Sequence, residues 1–156
     1  FGKGLGCHGG AVLGSHLLRN YLINFSHSFI YSTAIPPINV IALKCAYELL
    51  LKSNDKILNI KYLIGLFKDK VNLNNNLNVL PGESAIQCII IPGSEQVKSV
   101  AKSIQKAGYD VRPVLSPTVP KGSERLRICL HAFNTDKEVA GLVEAINNAV
   151  KTPQGF

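Results

Sequence analysis

Apolar positions along the chain recur with two periods, one near 3.6 residues and one of 2, and the alternation between them lays out the elements. In "HLLRNYLINF" positions 17, 18, 21, 22 and 25 form one stripe behind Ser15, which predicts a helix over 16–25 capped by that serine. The short apolar run "AVLGS" (11–15) ahead of it predicts a strand end, and "SFIYST" (28–33), rich in β-formers, predicts another strand. Pro36-Pro37 disfavours a helix before it and can start one after it. Positions 38, 41, 42, 45, 46 and 49 then mark one face of a long helix reaching Lys52. "SND" (53–55) breaks the pattern, and a second helix over 55–68 carries Ile57, Ile60, Leu63, Ile64 and Phe67 on one side.

The second half reads more regularly. The asparagine-rich stretch "VNLNNNLNVLPGES" (71–84) predicts a boundary or surface loop. "AIQCIIIPG" (85–93) reads as a strand with a turn, followed by a helix that Ser94 caps, that buries 97, 100, 101, 104 and 107, and that Gly108 ends. "YDVRPVLSP" (109–117) reads as a strand interrupted by Pro113, hence an edge. "RLRICLHAF" (125–133) alternates, so one face is buried and the other carries arginines. "TDKE" (135–138) is a capping box opening a helix with apolar 139, 142, 143, 146 and 150, and the tail "TPQGF" reads as loose. The order β-α-β-β-α predicts a small α/β layer, a sheet covered by two helices, preceded by two helices and a strand–loop–helix unit.

At 156 residues, 46% apolar and 17% charged, the chain has the material for a packed core. Methionine is absent throughout, position 1 included, which is expected of a piece of a longer protein. The net charge of +7 suits an anionic partner, but the lysines are scattered and aromatics are sparse, so no nucleic-acid partner is expected. Cys7, Cys45, Cys88 and Cys129 lie too far apart in sequence for a Cys-x-x-Cys pair, so neither a metal site nor a disulfide framework is expected. Three of them have apolar surroundings and are expected as buried thiols in a reducing, cytoplasmic compartment. No signal-peptide pattern is seen, and no apolar run approaches the roughly 18 residues of a membrane span.

The opening "FGKGLGCHGG" places Lys3 between glycines. Such flanking gives a lysine open backbone access for a large flat cofactor, and an amine can capture a carbonyl as an imine. Most lysines are simply solvated, and spacing alone does not decide between the two. Ser32 and Thr33, just ahead of Pro36-Pro37, are hydroxyls at a helix lead-in, a setting that suits either local capping or a phosphate. Arg127 lies between Leu126 and Ile128, and a strand guanidinium so placed offers a bidentate fork for a carboxylate, or is a surface residue.

Three segments in order, "FGKGLGCHGGAVLGS", "FIYSTAIPP" (29–37) and "SPTVPKGSERLRICLHAF" (116–133), closely resemble the pyridoxal-phosphate-dependent α-oxoamine synthases. That family condenses an amino acid with an acyl-CoA thioester, in most branches with loss of carbon dioxide. The resemblance implies the C-terminal small α/β domain of a fold-type I transferase, a sheet covered by helices, together with the end of the large domain. It divides the chain into 1–35 with the cofactor lysine, a helical connection 36–84, and the small domain 85–156.

The resemblance further implies that Lys3 is the Schiff-base lysine for pyridoxal 5'-phosphate, with Gly4 and Gly6 letting the backbone pass the ring. Thr33, and after it Ser32, would reach the cofactor phosphate across a homodimer interface. Arg127 would hold the substrate carboxylate, with Thr118 lining the substrate pocket and Arg125 left as a surface residue. His8 and Cys7 match variable positions. The family's pyridine-nitrogen aspartate, stacking histidine and phosphate loop lie upstream of its lysine, so this chain alone is expected to be inactive. The alternatives are a sister ligase branch of the family, and a non-catalytic α/β binding or dimerisation module.

Overall fold

Alternation along residues 125–130 frames the larger part of the structure. Leu126, Ile128 and Leu130 are buried, while Arg127 and Cys129 face outward. The computed structural model describes residues 1–73 and 77–151, and the chain divides into two compact units, Phe1–Asn54 and Asp55–Phe156. The expected loose tail 152–156 and the centre of the asparagine-rich stretch lie outside the described residues.

In the second unit four antiparallel strands, β1 (Asn78–Val79), β2 (Ile86–Ile90), β3 (Arg112–Val114) and β4 (Arg125–Cys129), pair in the order β1-β2-β4-β3. Register places Gln87 opposite Ile128 and Ile89 opposite Leu126, so these side chains share the buried face. Three helices close that core: α4 (Asn54–Asn72) with Leu63, Ile64, Phe67 and Val71, α5 (Ser94–Lys106) with Val97, Val100, Ala101 and Ile104, and α6 (Asp136–Lys151) with Val139, Leu142, Val143, Ile146 and Ala149. The other face of the sheet carries Cys88, Arg125, Arg127 and Arg112. Pro113 sits on the edge strand β3, where its missing N–H leaves no rung of the ladder empty.

Local signals account for most boundaries here. The capping box is reciprocal: the Thr135 N–H donates to Glu138 Oε2 at 2.8 Å, and the Glu138 N–H donates to Thr135 Oγ1 at 3.3 Å. Gly108, at φ +95°, follows the last turn of α5. Two readings need correction. Ser94 is the first helical residue; the cap position is Gly93, at φ +99°, without a side-chain cap. The asparagine-rich stretch is more than a loop, since Leu80 N–H donates to Cys88 O at 2.9 Å beside the short strand β1 on the sheet edge.

The first unit holds α1 (His16–Phe25), α2 (His27–Ile30) and α3 (Pro37–Leu51). Ser15 caps α1, its side chain accepting the Leu18 N–H at 3.2 Å, and Pro37 occupies the first turn of α3 behind Pro36. The two strands expected here are absent. Residues 11–15 have no ladder partner among the described residues, and the β-rich 28–33 begins as the single-turn helix α2, started by Ser26 O accepting from Phe29 and Ile30 N–H. Strand propensity needs a neighbouring edge to act on, and the described part of this unit offers none.

None of the helices in this unit has a buried residue. The stripe expected to face a core on α3 is open: Ile38, Ile41 and Leu49 are exposed, and the half-buried positions are Asn39, Leu43 and Ala46. The expected buried thiols are likewise corrected. Cys45 and Cys129 are exposed and Cys7 and Cys88 half-buried, because α3 is uncovered and alternation turns Cys88 and Cys129 to the open sheet face. Among the described residues no helix is long and apolar enough to cross a membrane.

Candidate functional site

The glycine-rich opening closes on itself. Gly6, at φ +61°, donates its N–H to Lys3 O at 2.9 Å, and Cys7 N–H donates to Phe1 O at 3.2 Å. Lys3 thus stands on a tight turn with its side chain exposed and its ammonium without a partner among the described residues. Phe1 meets Tyr47 of α3 edge to face, ring centroids 6.1 Å apart. An open hollow of about 820 Å³ is lined by Phe1, Gly2, Lys3, Gly4, Leu5 and Leu50. At Gly4 a Cβ would meet nothing within 4 Å, whereas at Gly9, φ +115°, it would come within 2.9 Å of Ile35 Cδ1. Gly9 therefore lets the loop approach the segment ahead of α3.

Ser32 and Thr33 are on that segment, exposed, between the end of α2 and Pro36. No hydrogen bond joins either to Lys3 among the described residues. What the structure brings together is the loop and the side chain of Ile35, two residues beyond Thr33.

The remaining expected residues belong to the second unit. Arg127 lies in the middle of β4, exposed on the open sheet face, with Nη2 3.6 Å from Cys129 Sγ. It contributes to a groove of about 460 Å³ with Asp110, Arg112, His131 and Glu138 among its lining. Thr118 is exposed in the turn of the β3–β4 connection, where Val119 N–H donates to Leu115 O at 3.2 Å. Arg125, read from sequence as a surface arginine, is half-buried, and its Nε donates to Ser123 O at 3.0 Å.

Sequence reasoning passed over Glu124. Its Oε2 accepts from Gly93 N–H at 3.0 Å and from Gly122 N–H at 2.9 Å, and its own carbonyl accepts from Ile91 N–H at 2.9 Å. The residue is buried, 2% exposed. The N–H groups of Gly93 and of Glu124 itself, then Gly122 and the Lys121 charge, hold its carboxyl below the usual carboxylate range despite burial. One carboxylate thus ties the turn before α5 to the connection that carries Thr118 and leads into the arginine strand. The signal was present as a lone acid wedged into "KGSERLR" at the foot of a strand.

The sequence model described as aminotransferase class I and II matches residues 1–146. The 8-amino-7-oxononanoate synthase of Emericella nidulans is 40% identical over 151 residues, covering 94% of this chain and 37% of its own length. The crystal structure of 8-amino-7-oxononanoate synthase from Francisella tularensis superposes at TM-score 0.83 with 25% identity, over 96% of this chain and 44% of that one. A structure of SPT with PLP superposes at TM-score 0.76 with 21% identity, a likeness of fold over 96% of this chain and 38% of that one. The chain therefore spans well under half the length of the proteins it matches.

Proposed function

The chain belongs to the aminotransferase class I and II family, and on that footing we propose that it is the lysine-bearing C-terminal part of a pyridoxal-phosphate-dependent C-acyltransferase of the 8-amino-7-oxononanoate synthase kind. The reaction is condensation of an amino acid with an acyl-CoA, with decarboxylation, to a 2-amino ketone of the biotin pathway. The observation that carries the reading is Lys3, an exposed amine on a glycine-built turn over an open hollow, in a chain that matches that synthase along 94% of its length. The wording of "YSTAIPP" and "TVPKGSERLR" supports the same branch.

The residues present fit the cofactor. A primary amine suits its aldehyde, Gly2 and Gly4 leave room beside it, and the exposed hydroxyls of Ser32 and Thr33 can donate to a phosphate. Bound there, pyridoxal phosphate supplies an electron sink for charge developing at the amino-acid α carbon. Lys3 holds the cofactor and then carries the α proton on Nζ. Arg127 binds and orients the amino-acid carboxylate through a charge-assisted fork, and Thr118 lines the substrate pocket. Residues 1–35 close the large domain, 36–84 connect, and 85–156 form the small domain. The whole protein is a cytoplasmic homodimer in which 29–37 reaches the neighbour's cofactor, and this chain by itself is inactive.

The test uses the whole protein with pyridoxal phosphate, alanine and pimeloyl-CoA. Lys3→Ala abolishes the absorbance of the lysine-linked cofactor; a retained band moves the cofactor to another lysine and ends the reading. Arg127→Ala leaves that band and raises the alanine Michaelis constant about tenfold or more, with the acyl-CoA constant nearly unmoved.

A further inference from the structure

Cys88 and Cys129 are far apart in sequence and neighbours in the sheet. Register pairs Cys88 with Arg127 and Ile86 with Cys129, so the two thiols stand diagonally on adjacent strands β2 and β4, both on the open face. Leu130 N–H donates to Ala85 O and Ile91 N–H donates to Glu124 O, each at 2.9 Å, which fixes the hydrogen-bonded pairs of this ladder. Counted by twos from either end, the Cys88–Arg127 and Ile86–Cys129 pairs are the non-hydrogen-bonded ones, where facing side chains come closest. Cys129 is exposed, Cys88 is half-buried and both are free thiols. Arg127 places Nη2 3.6 Å from Cys129 Sγ. On the far side of Cys88, Leu80 N–H donates to Cys88 O at 2.9 Å, which continues the β1–β2 register and sets Leu80 directly opposite. The two sulfurs thus share a patch with Leu80, Ile86, Ile90 and one guanidinium.

Diagonal neighbours on adjacent strands have Cα atoms about 7–8 Å apart. A disulfide needs Cα atoms about 4.4–6.8 Å apart and draws the sulfurs to about 2 Å, so the diagonal is too long for one. An ion bridging two thiolates by bonds of about 2.3 Å holds the sulfurs roughly 4.6 Å apart, which the diagonal accommodates. A tetrahedral ion needs further donors, and among the described residues no group of three or more histidine, cysteine, aspartate or glutamate side chains could hold a metal. A soft ion that accepts two sulfurs in line is the class left, and thiolates select such ions. Two thiolates on a monovalent ion leave one net negative charge, and the guanidinium already resting on Cys129 answers it.

We propose that Cys88 and Cys129 form a two-coordinate site for a soft monovalent cation of the Cu(I) class, bridging β2 and β4, with Arg127 as its counter-charge. Binding releases one proton from each thiol to solvent, forms two sulfur–metal bonds and changes no oxidation state. The site uses the second unit alone and needs neither cofactor nor substrate, so it stands or falls apart from the reading of Lys3 and Arg127 in catalysis.

The experiment uses the full chain carrying Cys7→Ser and Cys45→Ser, reduced and free of oxygen. Cu(I) is titrated in against bicinchoninate, whose coloured complex reports the copper that the protein does not hold, and native mass spectrometry counts ions per chain. One ion per chain is retained. Cys88→Ser and Cys129→Ser each weaken retention about a hundredfold or more, because the second sulfur binds within the molecule. Circular dichroism checks the fold of each variant, and exposed Cys129 supplies the test on its own if Cys88→Ser does not fold. Arg127→Gln weakens retention up to about fivefold, the worth of an exposed charge, and Arg127→Lys restores most of it. Zn(II) is held no better by the two-cysteine chain than by Cys129→Ser. No retained Cu(I), retention that survives Cys129→Ser, one ion shared between two chains, or Zn(II) held as tightly as Cu(I) overturns the proposal.

Discussion

The helices of the two units reach opposite ends. In Asp55–Phe156 the stripes of α4, α5 and α6 converge with one face of a sheet, and Leu63, Phe67, Ile104, Leu126 and Ile146 are sealed from water. In Phe1–Asn54 the helices leave Leu17 80% and Leu51 78% exposed. The difference teaches that a stripe states what a helix can bury, and a partner decides whether it does. It also separates the proposed chemistry: the proposed cofactor lysine stands on the uncovered unit, the proposed substrate arginine on the other.

The largest expected effect tests that contrast outright. Residues 55–151 alone unfold in urea as one cooperative transition, whereas residues 1–54 alone give none, as read by circular dichroism. A cooperative melt of 1–54 would mean that its helices need no cover. Next, core truncation separates the units by size of effect. Phe67→Ala costs about 3–5 kcal/mol and Leu126→Ala about 2–5 kcal/mol, while Leu17→Ala stays within roughly 0.5 kcal/mol, all measured by denaturant titration of the chain. A large loss at Leu17 would move that helix into a core.

A smaller effect sharpens the account of the second unit. Thr135→Ala removes one half of the reciprocal cap of α6 and costs about 1 kcal/mol; no change in midpoint would make the cap ornamental. The subtlest concerns pH. The Glu124 carboxyl is held low in the folded state by Gly93 N–H above all, so its contribution is present above the ordinary carboxylate value of 4.5. It is lost as pH falls through that value toward the lower folded one. Glu124→Gln flattens this acid limb of the stability curve while leaving the neutral-pH fold in place; an unchanged acid limb would sever the clamp from stability.

Legibility followed the same divide. The helix stripes, the Ser15 cap, the Thr135–Glu138 box, the Gly108 stop and the proline edge were readable because each is decided within a few residues. "SFIYST" misled because its β-formers lack an edge to pair with, and Ser94 misled because Gly93 already holds the cap position while its N–H goes to Glu124, 31 residues away. Lys3, Ser32, Thr33, Thr118 and Arg127 were nameable from motif wording. That Arg125 is the more enclosed of the two strand arginines was not, since its burial does not depend on near neighbours alone.

By itself the sequence determined the periodicities, the caps and stops, the alternation that parts Leu126 and Ile128 from Arg125 and Arg127, and the three segments that carry the family likeness. These are local, set by backbone sterics and side-chain chemistry within one or two turns. Only the tertiary structure decided which stripes are buried, that β1 extends the sheet, and that Glu124 joins two turns across 31 residues. Those outcomes rest on contacts between distant segments, and their free energy comes from water leaving surfaces that only the assembled fold brings together.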